Sequence, residues 1–230
     1  MVQVNKPLVV RLHFYKKGSL KYISHLDLVR TMTKIVVRSR LPLWYTEGFN
    51  PKPKIVFACP LSIGTDSNAE YMDLRLTEYV DPGMVRARLN ACMTKEMQVI
   101  DAYYPTTALT DLAYLSYEIR VQSPTVSDQL LLTVNEALAD TEIRVLKKTK
   151  SGEREVDIRP QIHSAEAMLE GESLVIHATL AANAASFLNP EYLISYLKER
   201  AGLLSSPNLL SETYSILRVA ALREDLSPFA

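Results

Sequence analysis

The order of strand-like and helix-like segments constrains the fold of this 230-residue chain more than any other feature. Residues 8–15 alternate between two faces, one of them wholly apolar, which is typical of a β-strand. An amphipathic helix follows, opened by Ser24 as its N-cap and ended by Pro42. Similar patterns predict the next elements, which are strands at 54–58, 70–76 and 97–103 and a helix beginning at Asp81-Pro82.

The second half of the chain repeats this order. The predicted elements are a strand at 115–121, a helix opened by Ser123-Pro124, strands at 143–149 and 155–160 joined by a hairpin turn, a strand at 174–180, a helix from Asn189-Pro190 to Gly202, and a strand at 214–220. The sequence therefore predicts an α+β fold of two tandem ferredoxin-like halves, each β-α-β-β-α-β with an antiparallel sheet. We expect the domains to comprise residues 1–106 and 107–230, with the link near 105–111.

Charge is distributed unevenly along the chain, although the formal net charge is zero. Residues 1–60 contain eleven Lys and Arg residues but only two acids, Asp27 and Glu47. The remainder contains fifteen basic and twenty-four acidic residues. Such a basic block favours binding to a polyanion or to an acidic protein surface. The alternative is a solvated basic surface that has no partner.

Several classes of protein are excluded by what the sequence lacks. No apolar stretch is long enough to cross a bilayer, and the first fifteen residues contain no signal-peptide core, so we expect a cytoplasmic protein without a membrane partner. The two cysteines, Cys59 and Cys92, are interpreted as buried free thiols. Metal-binding and nucleotide-binding motifs are absent, so we expect no cofactor in this chain. An iron–sulfur cluster needs more thiolates than the chain offers.

Basic residues recur every four positions on the first predicted helix. Arg30, Lys34 and Arg38 lie opposite its apolar stripe, which makes them candidate contacts to phosphate groups. Lys21, which precedes the helix, is a further candidate.

The segment 44–54 is the most informative part of the sequence. It carries three aromatic residues, Trp44, Tyr45 and Phe49, which could stack on bases. Gly48 and two prolines give its backbone a restricted shape. Its polar candidates for RNA contact are Asn50, Lys52 and Lys54. The alternative is a packed connection whose aromatic residues cover the edge of the core.

A third group of candidates lies on the face of the first sheet that the helices leave free. Two central strands would present aromatic and basic side chains there, as RNA-recognition modules of this shape do. This face would carry Arg11, His13 and Tyr15 from one strand and Tyr71, Asp73 and Arg75 from the other; Arg11 and Tyr15 are the candidates for RNA binding. The second domain could instead cover this face.

His25 and a second basic segment allow two interpretations each. His25 projects toward the sheet from the start of the first helix, either as a buried histidine bonded to a backbone carbonyl or as a general acid/base. The segment 144–150 either extends a basic surface or is a charged strand edge that discourages aggregation.

Five motifs together resemble the bacterial radical-SAM-associated family, a domain of unknown function found alone or after a radical SAM domain. They are Lys21–Asp27, Gly48–Lys54, Pro60–Gly64, Glu70–Asp73 and Val156–Pro160. The resemblance implies partnership with a radical SAM enzyme that would supply the cluster this chain lacks. Gene neighbourhoods of the family, which include ribosomal proteins and an RNA-processing nuclease, point toward RNA. The resemblance carries over no catalytic residue.

The two-domain shape is also similar to that of CRISPR RNA-processing endonucleases, but their C-terminal glycine-rich loop is absent here, which argues against nuclease activity. The first hypothesis is therefore a non-catalytic RNA-binding accessory protein that presents RNA to a radical SAM modification enzyme. The second is a small RNA-processing enzyme that uses His25. The third is a module that binds only protein.

Overall fold

The computed structural model describes residues 6–149, 152–183 and 185–229 and divides the chain into two compact units. The first unit extends to Leu112 and includes Phe229, whereas the second comprises Ala113–Pro228. Both are mixtures of antiparallel strands and a few helices, which confirms the predicted α+β class. No helix within the described residues is both long enough and apolar enough to span a membrane.

Within its described residues, the first unit contains four strands and two α-helices in the predicted order. They are β1 (Leu8–Lys16), α1 (His25–Arg38), β2 (Ile55–Phe57), β3 (Thr65–Leu76), α2 (Pro82–Asn90) and β4 (Met97–Tyr103). Strand β1 pairs with both β3 and β4, and β2 pairs with the other side of β3, so the strand order is β2-β3-β1-β4. The structure extends β3 further toward its N-terminus than the sequence pattern predicted.

One face of this sheet and both helices enclose the core of the first unit. Val10, Leu12 and Phe14 on the apolar face of β1 are buried, and so is the stripe of α1 that includes Leu28, Met32 and Val36. Ser24 caps α1 by accepting a hydrogen bond from the Asp27 amide at 3.1 Å. Asp81 caps α2 in the same way, and Pro82 occupies the first helical position. Both helix starts were predicted.

The described part of the second unit contains seven strands and two α-helices. They are β5 (Tyr114–Gln122), α3 (Asp128–Leu138), β6 (Arg144–Thr149), β7 (Gly152–Asp157), β8 (Ile162–Glu170), β9 (Ser173–Asn183), β10 (Ser186–Phe187), α4 (Pro190–Ala201) and β11 (Thr213–Leu222). Its sheet has the order β8-β9-β5-β11, and β10 pairs with the end of β9. Strands β6 and β7 form a separate antiparallel hairpin.

The sequence pattern was wrong at several places in the second unit. The strand predicted at 155–160 lies at Gly152–Asp157 and is followed by a 3-10 helix at Arg159–Gln161, and the short strand β10 was not predicted. Strand β8 was missed, because serine, alanine and glutamate predominate in it and its hydrophobic alternation is weak. Helix α3 begins after Ser127, whose hydroxyl accepts from the Leu130 amide, and not at the predicted Ser123-Pro124. The turn residues Lys150 and Ser151 of the predicted hairpin lie outside the described residues.

Candidate functional site

The loop 44–54 is ordered by its own hydrogen bonds and by its attachment to β3. The Trp44 amide donates to the Arg75 carbonyl at 2.8 Å, and the Lys54 amide donates to the Trp44 carbonyl at 2.9 Å. Nearer the tip, the Thr46 amide donates to the Lys52 carbonyl at 2.8 Å, and the Lys52 amide donates to the Thr46 hydroxyl at 3.1 Å. The loop therefore has two paired arms and a short tip.

The tip presents an aromatic ring to solvent. Phe49 is fully exposed, at 112% of the reference area, and Asn50 and Lys52 beside it are also exposed. Gly48 adopts φ +117°, a conformation that L-residues rarely take, and so allows the tip to turn. Phe49 contributes nothing to the core, so the alternative in which the loop's aromatic residues cover the core edge does not hold for this ring.

The other aromatic residues of the loop lie nearer its base. Tyr45 is exposed and pairs with Pro53 in a β-bridge across the two arms. Trp44 and Lys54 are half-buried where the arms meet β3. Of the predicted stacking residues, Phe49 and Tyr45 are thus the accessible ones.

The basic row of α1 is exposed, as the sequence predicted. Arg30 is engaged locally with Asp27 through an exposed ion pair of 3.2 Å. Lys34 and Arg38 stand at the rim of a hollow of about 200 Å³ between α1 and the segment that follows α2. An apolar floor thus lies directly beside two cations.

Two further arginines extend this basic surface, and the sequence reasoning missed them. Arg88 Nη1, from the end of α2, donates to the Arg40 carbonyl at 3.2 Å, which brings the ends of the two helices together. Both side chains are exposed. No local pattern could have indicated this neighbourhood, because it depends on a contact between residues 48 positions apart.

Arg11 is buried rather than presented to solvent. It lies directly opposite Asp73 in the β1–β3 register, and its Nε and Nη2 bond to the two carboxylate oxygens at 2.8 and 3.2 Å. Nη1 donates to the Thr107 hydroxyl at 2.9 Å, and the guanidinium lies 4.9 Å from the ring centroid of Phe229. With its side chain wholly buried, Arg11 cannot reach a ligand at the surface.

The neighbouring pair on the same face is aromatic. His13 and Tyr71 are also directly opposite each other and stack at 4.7 Å with an interplanar angle of 4°. His13 Nε2 donates to the Asn68 carbonyl at 2.9 Å, and burial lowers the pKa of this imidazole from 6.5. Burial also raises the pKa of Tyr71 to about 12. Both rings are therefore neutral at pH 7.

Two other predicted contacts are tied to neighbours. The hydroxyl of Tyr15 donates to the Lys95 carbonyl at 2.9 Å. Lys21 lies 3.6 Å from Asp66 and above the ring of Tyr22, and it is half-buried. Tyr15 and Lys21 therefore differ from Lys34 and Arg38, whose exposed side chains line an apolar hollow.

His25 begins α1 and packs edge-on against Phe57, with ring centroids 5.4 Å apart. Its Nδ1 is buried and has no hydrogen-bond partner among the described residues, so the predicted bond to a carbonyl is not made at this atom. Among all the residues that the structure describes, no three His, Cys, Asp or Glu side chains are grouped so that they could hold a metal ion.

The two basic residues of the second segment whose side chains the structure describes, Arg144 and Lys147, are both held by neighbours. Arg144 is held by Glu142 and Glu155 at 2.7 and 3.0 Å. Lys147 donates to Gln161 at 3.0 Å and lies above the ring of Tyr192. These contacts favour the interpretation of a charged strand edge, whereas Lys150 lies outside the described residues.

Fold and surface together define the class of protein: a mixed α+β protein whose first unit carries a basic helix row and an ordered aromatic loop. Residues 10–190 match the model of the family described as an uncharacterized protein conserved in bacteria (DUF2344). This match covers well over half of the chain, and the protein belongs to that family. No curated protein matches the sequence.

Two of the solved structures that are similar to the chain illustrate the likeness. One is a chain of the crystal structure of a Cbf5-Nop10-Gar1 complex, which is 11% identical with a TM-score of 0.51 over 94% of this chain and 50% of that chain. This chain thus spans about half the length of that relative, and the likeness concerns the fold. The other is an unknown protein from Galdieria sulphuraria, 13% identical, with a TM-score of 0.27 over 94% of this chain and 100% of that chain.

Proposed function

We propose that the protein binds single-stranded RNA through the loop 44–54 and the basic row of α1, and performs no chemistry on it. The observation that carries this proposal is the fully exposed ring of Phe49 on a hydrogen-bonded loop tip beside Lys52. Exposing a phenylalanine forgoes the free energy of burying it, about 1.5–3 kcal/mol, so its position favours a role in binding. Base stacking on aromatic residues combined with phosphate contacts is the usual way to bind single strands.

The surface of the first unit fits such a ligand electrostatically. Lys34, Arg38, Arg40 and Arg88 are exposed cations on its helical side. Contacts between such cations and phosphates release counterions, which supplies much of the affinity of proteins for nucleic acids. We therefore expect an affinity that falls as the salt concentration rises.

We also propose that each unit is a ferredoxin-like half. In the strand orders β2-β3-β1-β4 and β8-β9-β5-β11, the first and third strands of each sheet in chain order are central, when the separate hairpin β6–β7 is not counted. The order of elements along the chain, β-α-β-β-α-β with an added hairpin in the second unit, supports this assignment.

The RNA would be presented to a radical SAM modification enzyme. Support comes from the motifs that resemble the radical-SAM-associated family and from the cysteine count: two thiols are too few for a [4Fe–4S] cluster, so such chemistry would have to come from a partner. A pull-down with the tagged protein from the bacterium that encodes it is expected to recover a radical SAM enzyme by mass spectrometry. Its loss after nuclease treatment would mean that RNA links the two, whereas recovery of other proteins only would overturn the partnership.

The Phe49→Ala variant is the most direct test of RNA binding. We expect its affinity for a labelled single-stranded RNA to fall about 5–150-fold, because stacking on an aromatic ring contributes about 1–3 kcal/mol per base. Fluorescence anisotropy with the full chain measures this change. Leu210→Ala is the matched control, since Leu210 is another almost fully exposed apolar side chain and lies in the second unit.

Three results would redirect the proposal. Failure of the unaltered protein to bind RNA would overturn it. Cleavage of the RNA that disappears in the His25→Ala variant would favour the endonuclease hypothesis instead. Binding that is unaffected by Phe49→Ala would remove the loop from the interface.

A further inference from the structure

The hollow beside Lys34 and Arg38 combines three properties that suit one kind of ligand group. Its floor is formed by Leu20, Ile35, Cys92 and Met97, and apolar surface exceeds polar surface within it. Its volume is about 200 Å³. None of the described residues that line it is acidic.

The walls of the hollow are held in place before any ligand arrives. On one side is α1, whose Ile35 belongs to the buried stripe. On the other side, the turn that leads into β4 is tied to the end of β1, because the Lys17 amide donates to the Glu96 carbonyl at 2.8 Å and the Tyr15 hydroxyl donates to the Lys95 carbonyl at 2.9 Å. A preformed pocket loses little entropy when it is filled.

The carboxylate of Glu96, beside the turn into β4, does not line the hollow. It is turned toward Ser19, accepting from the hydroxyl at 2.7 Å and from the amide at 3.1 Å. These hydrogen bonds lower the pKa of Glu96, so it remains ionised and engaged with Ser19 at neutral pH.

The volume of the hollow fits a single ring. An apolar cavity of about 150 Å³ in another protein binds benzene, whereas sites for whole drug-sized ligands measure about 300–1,000 Å³. A hollow of about 200 Å³ therefore suits one planar ring. The two cations of the lining suit a ring that is attached to a neighbouring anion, and a nucleotide joins a ring to a phosphate within one residue.

We infer that this hollow takes a single unstacked base of the bound RNA, while Lys34 and Arg38 contact the phosphates beside it. The inference rests on the proposed RNA binding and assigns to it a second base-binding position besides Phe49. The Thr31 and Thr94 side chains at the edge of the hollow offer hydroxyls to the base. A hydroxyl both donates and accepts, so these two groups discriminate weakly among bases.

Cys92 provides a test inside the hollow itself. The probe is a fluorescein-labelled single-stranded oligouridylate of about eight nucleotides, bound to the full chain. Cys92→Phe fills the hollow, and we expect it to weaken binding about tenfold, as the loss of one base contact does. Cys92→Ser, which keeps the space open, is the matched control and is expected to bind within about twofold of the unaltered protein.

Alkylation of the unaltered protein gives a second measurement that needs no variant. Cys92 is half-buried and lines the hollow, whereas Cys59 is buried. Saturating oligouridylate is expected to slow the reaction of Cys92 with iodoacetamide by about fivefold or more, as followed by mass spectrometry of the Cys92 peptide. The slow reaction of Cys59 should not change. If Cys92→Phe does not fold, this measurement decides.

Different results would overturn RNA binding and base binding in the hollow. If the unaltered protein binds the oligouridylate but Cys92→Phe binds equally well and Cys92 stays reactive, the base-binding hollow is overturned and RNA binding stands. An unprotected thiol is also the result expected if the hollow takes a side chain of a protein partner. If the unaltered protein does not bind the RNA at all, both inferences are overturned.

Discussion

Replacing Arg11 with methionine is expected to lower the free energy of unfolding of the first unit by about 3–5 kcal/mol, the usual cost of removing one partner from a buried ion pair. Arg11 is wholly buried, and four of its hydrogen bonds, to Asp73 and Thr107, would be lost. Methionine fills much of the space, so the loss reflects the carboxylate of Asp73, only 15% exposed, that is left without its cation.

Urea unfolding followed by tryptophan fluorescence measures the stability of the first unit. The chain has one tryptophan, Trp44, and it lies in that unit. The control is Arg30→Met, which removes an ion pair to Asp27 that is exposed on both sides. Exposed pairs contribute little, so this variant should change the unfolding free energy by less than about 1 kcal/mol. Equal effects of the two substitutions would show that burial of Arg11 does not determine its contribution.

A double substitution separates the ion pair from simple packing. Arg11→Met combined with Asp73→Leu removes both charges, and we expect it to be more stable than Arg11→Met alone, because no unpaired carboxylate remains. If the double variant is instead as unstable as the sum of the single ones, then loss of the contacts to Thr107 and Phe229 explains the effect.

Reversing the charges of Lys34 and Arg38 together is expected to weaken RNA binding about 100-fold at low salt, because two charge-assisted contacts to phosphates become repulsions. The salt dependence should also change. Each phosphate neutralised on a single strand contributes about 0.7 to the slope of log affinity against log salt, so the slope of Lys34→Glu/Arg38→Glu should be smaller by about 1.4. Anisotropy titrations over a salt series measure both quantities.

The matched control carries the same change of net charge on the other unit. Arg154→Glu/Lys198→Glu alters two basic residues of the second unit, and its affinity should fall much less than that of the first double variant. Equal losses would mean that net charge alone governs binding. Unchanged affinity in Lys34→Glu/Arg38→Glu would remove α1 from the proposed interface.

Much of the local structure could be predicted from the sequence because it depends on neighbouring residues. The alternation in β1 and the caps at Ser24 and Asp81 involve contacts over a few positions, and all three predictions are confirmed. The prediction failed where the local signal was misleading. Ser123-Pro124 has the sequence of a helix start, yet Ser127 caps α3. In β8, small and polar residues weaken the strand pattern.

For the candidate surface too, the sequence predicted the features that depend on local spacing and missed those that depend on distant contacts. The exposure of Arg30, Lys34 and Arg38 follows from their spacing opposite the apolar stripe of α1, and it was predicted. The same kind of periodicity put Arg11 on the open face of β1, and its register with Asp73 agrees. Periodicity could not show that Phe229, far along the chain, packs against this arginine and helps to remove it from solvent.

The sequence by itself determined the class of fold, most of the strands and helices, and the concentration of positive charge in the first quarter of the chain, because these properties arise from composition and from contacts between near neighbours. Only the tertiary structure decided which cations reach solvent, that Phe49 is fully exposed while Trp44 is half-buried, and that Cys92 lines a hollow beside Lys34. These features depend on burial and on contacts between distant residues, and packing of the whole unit creates both.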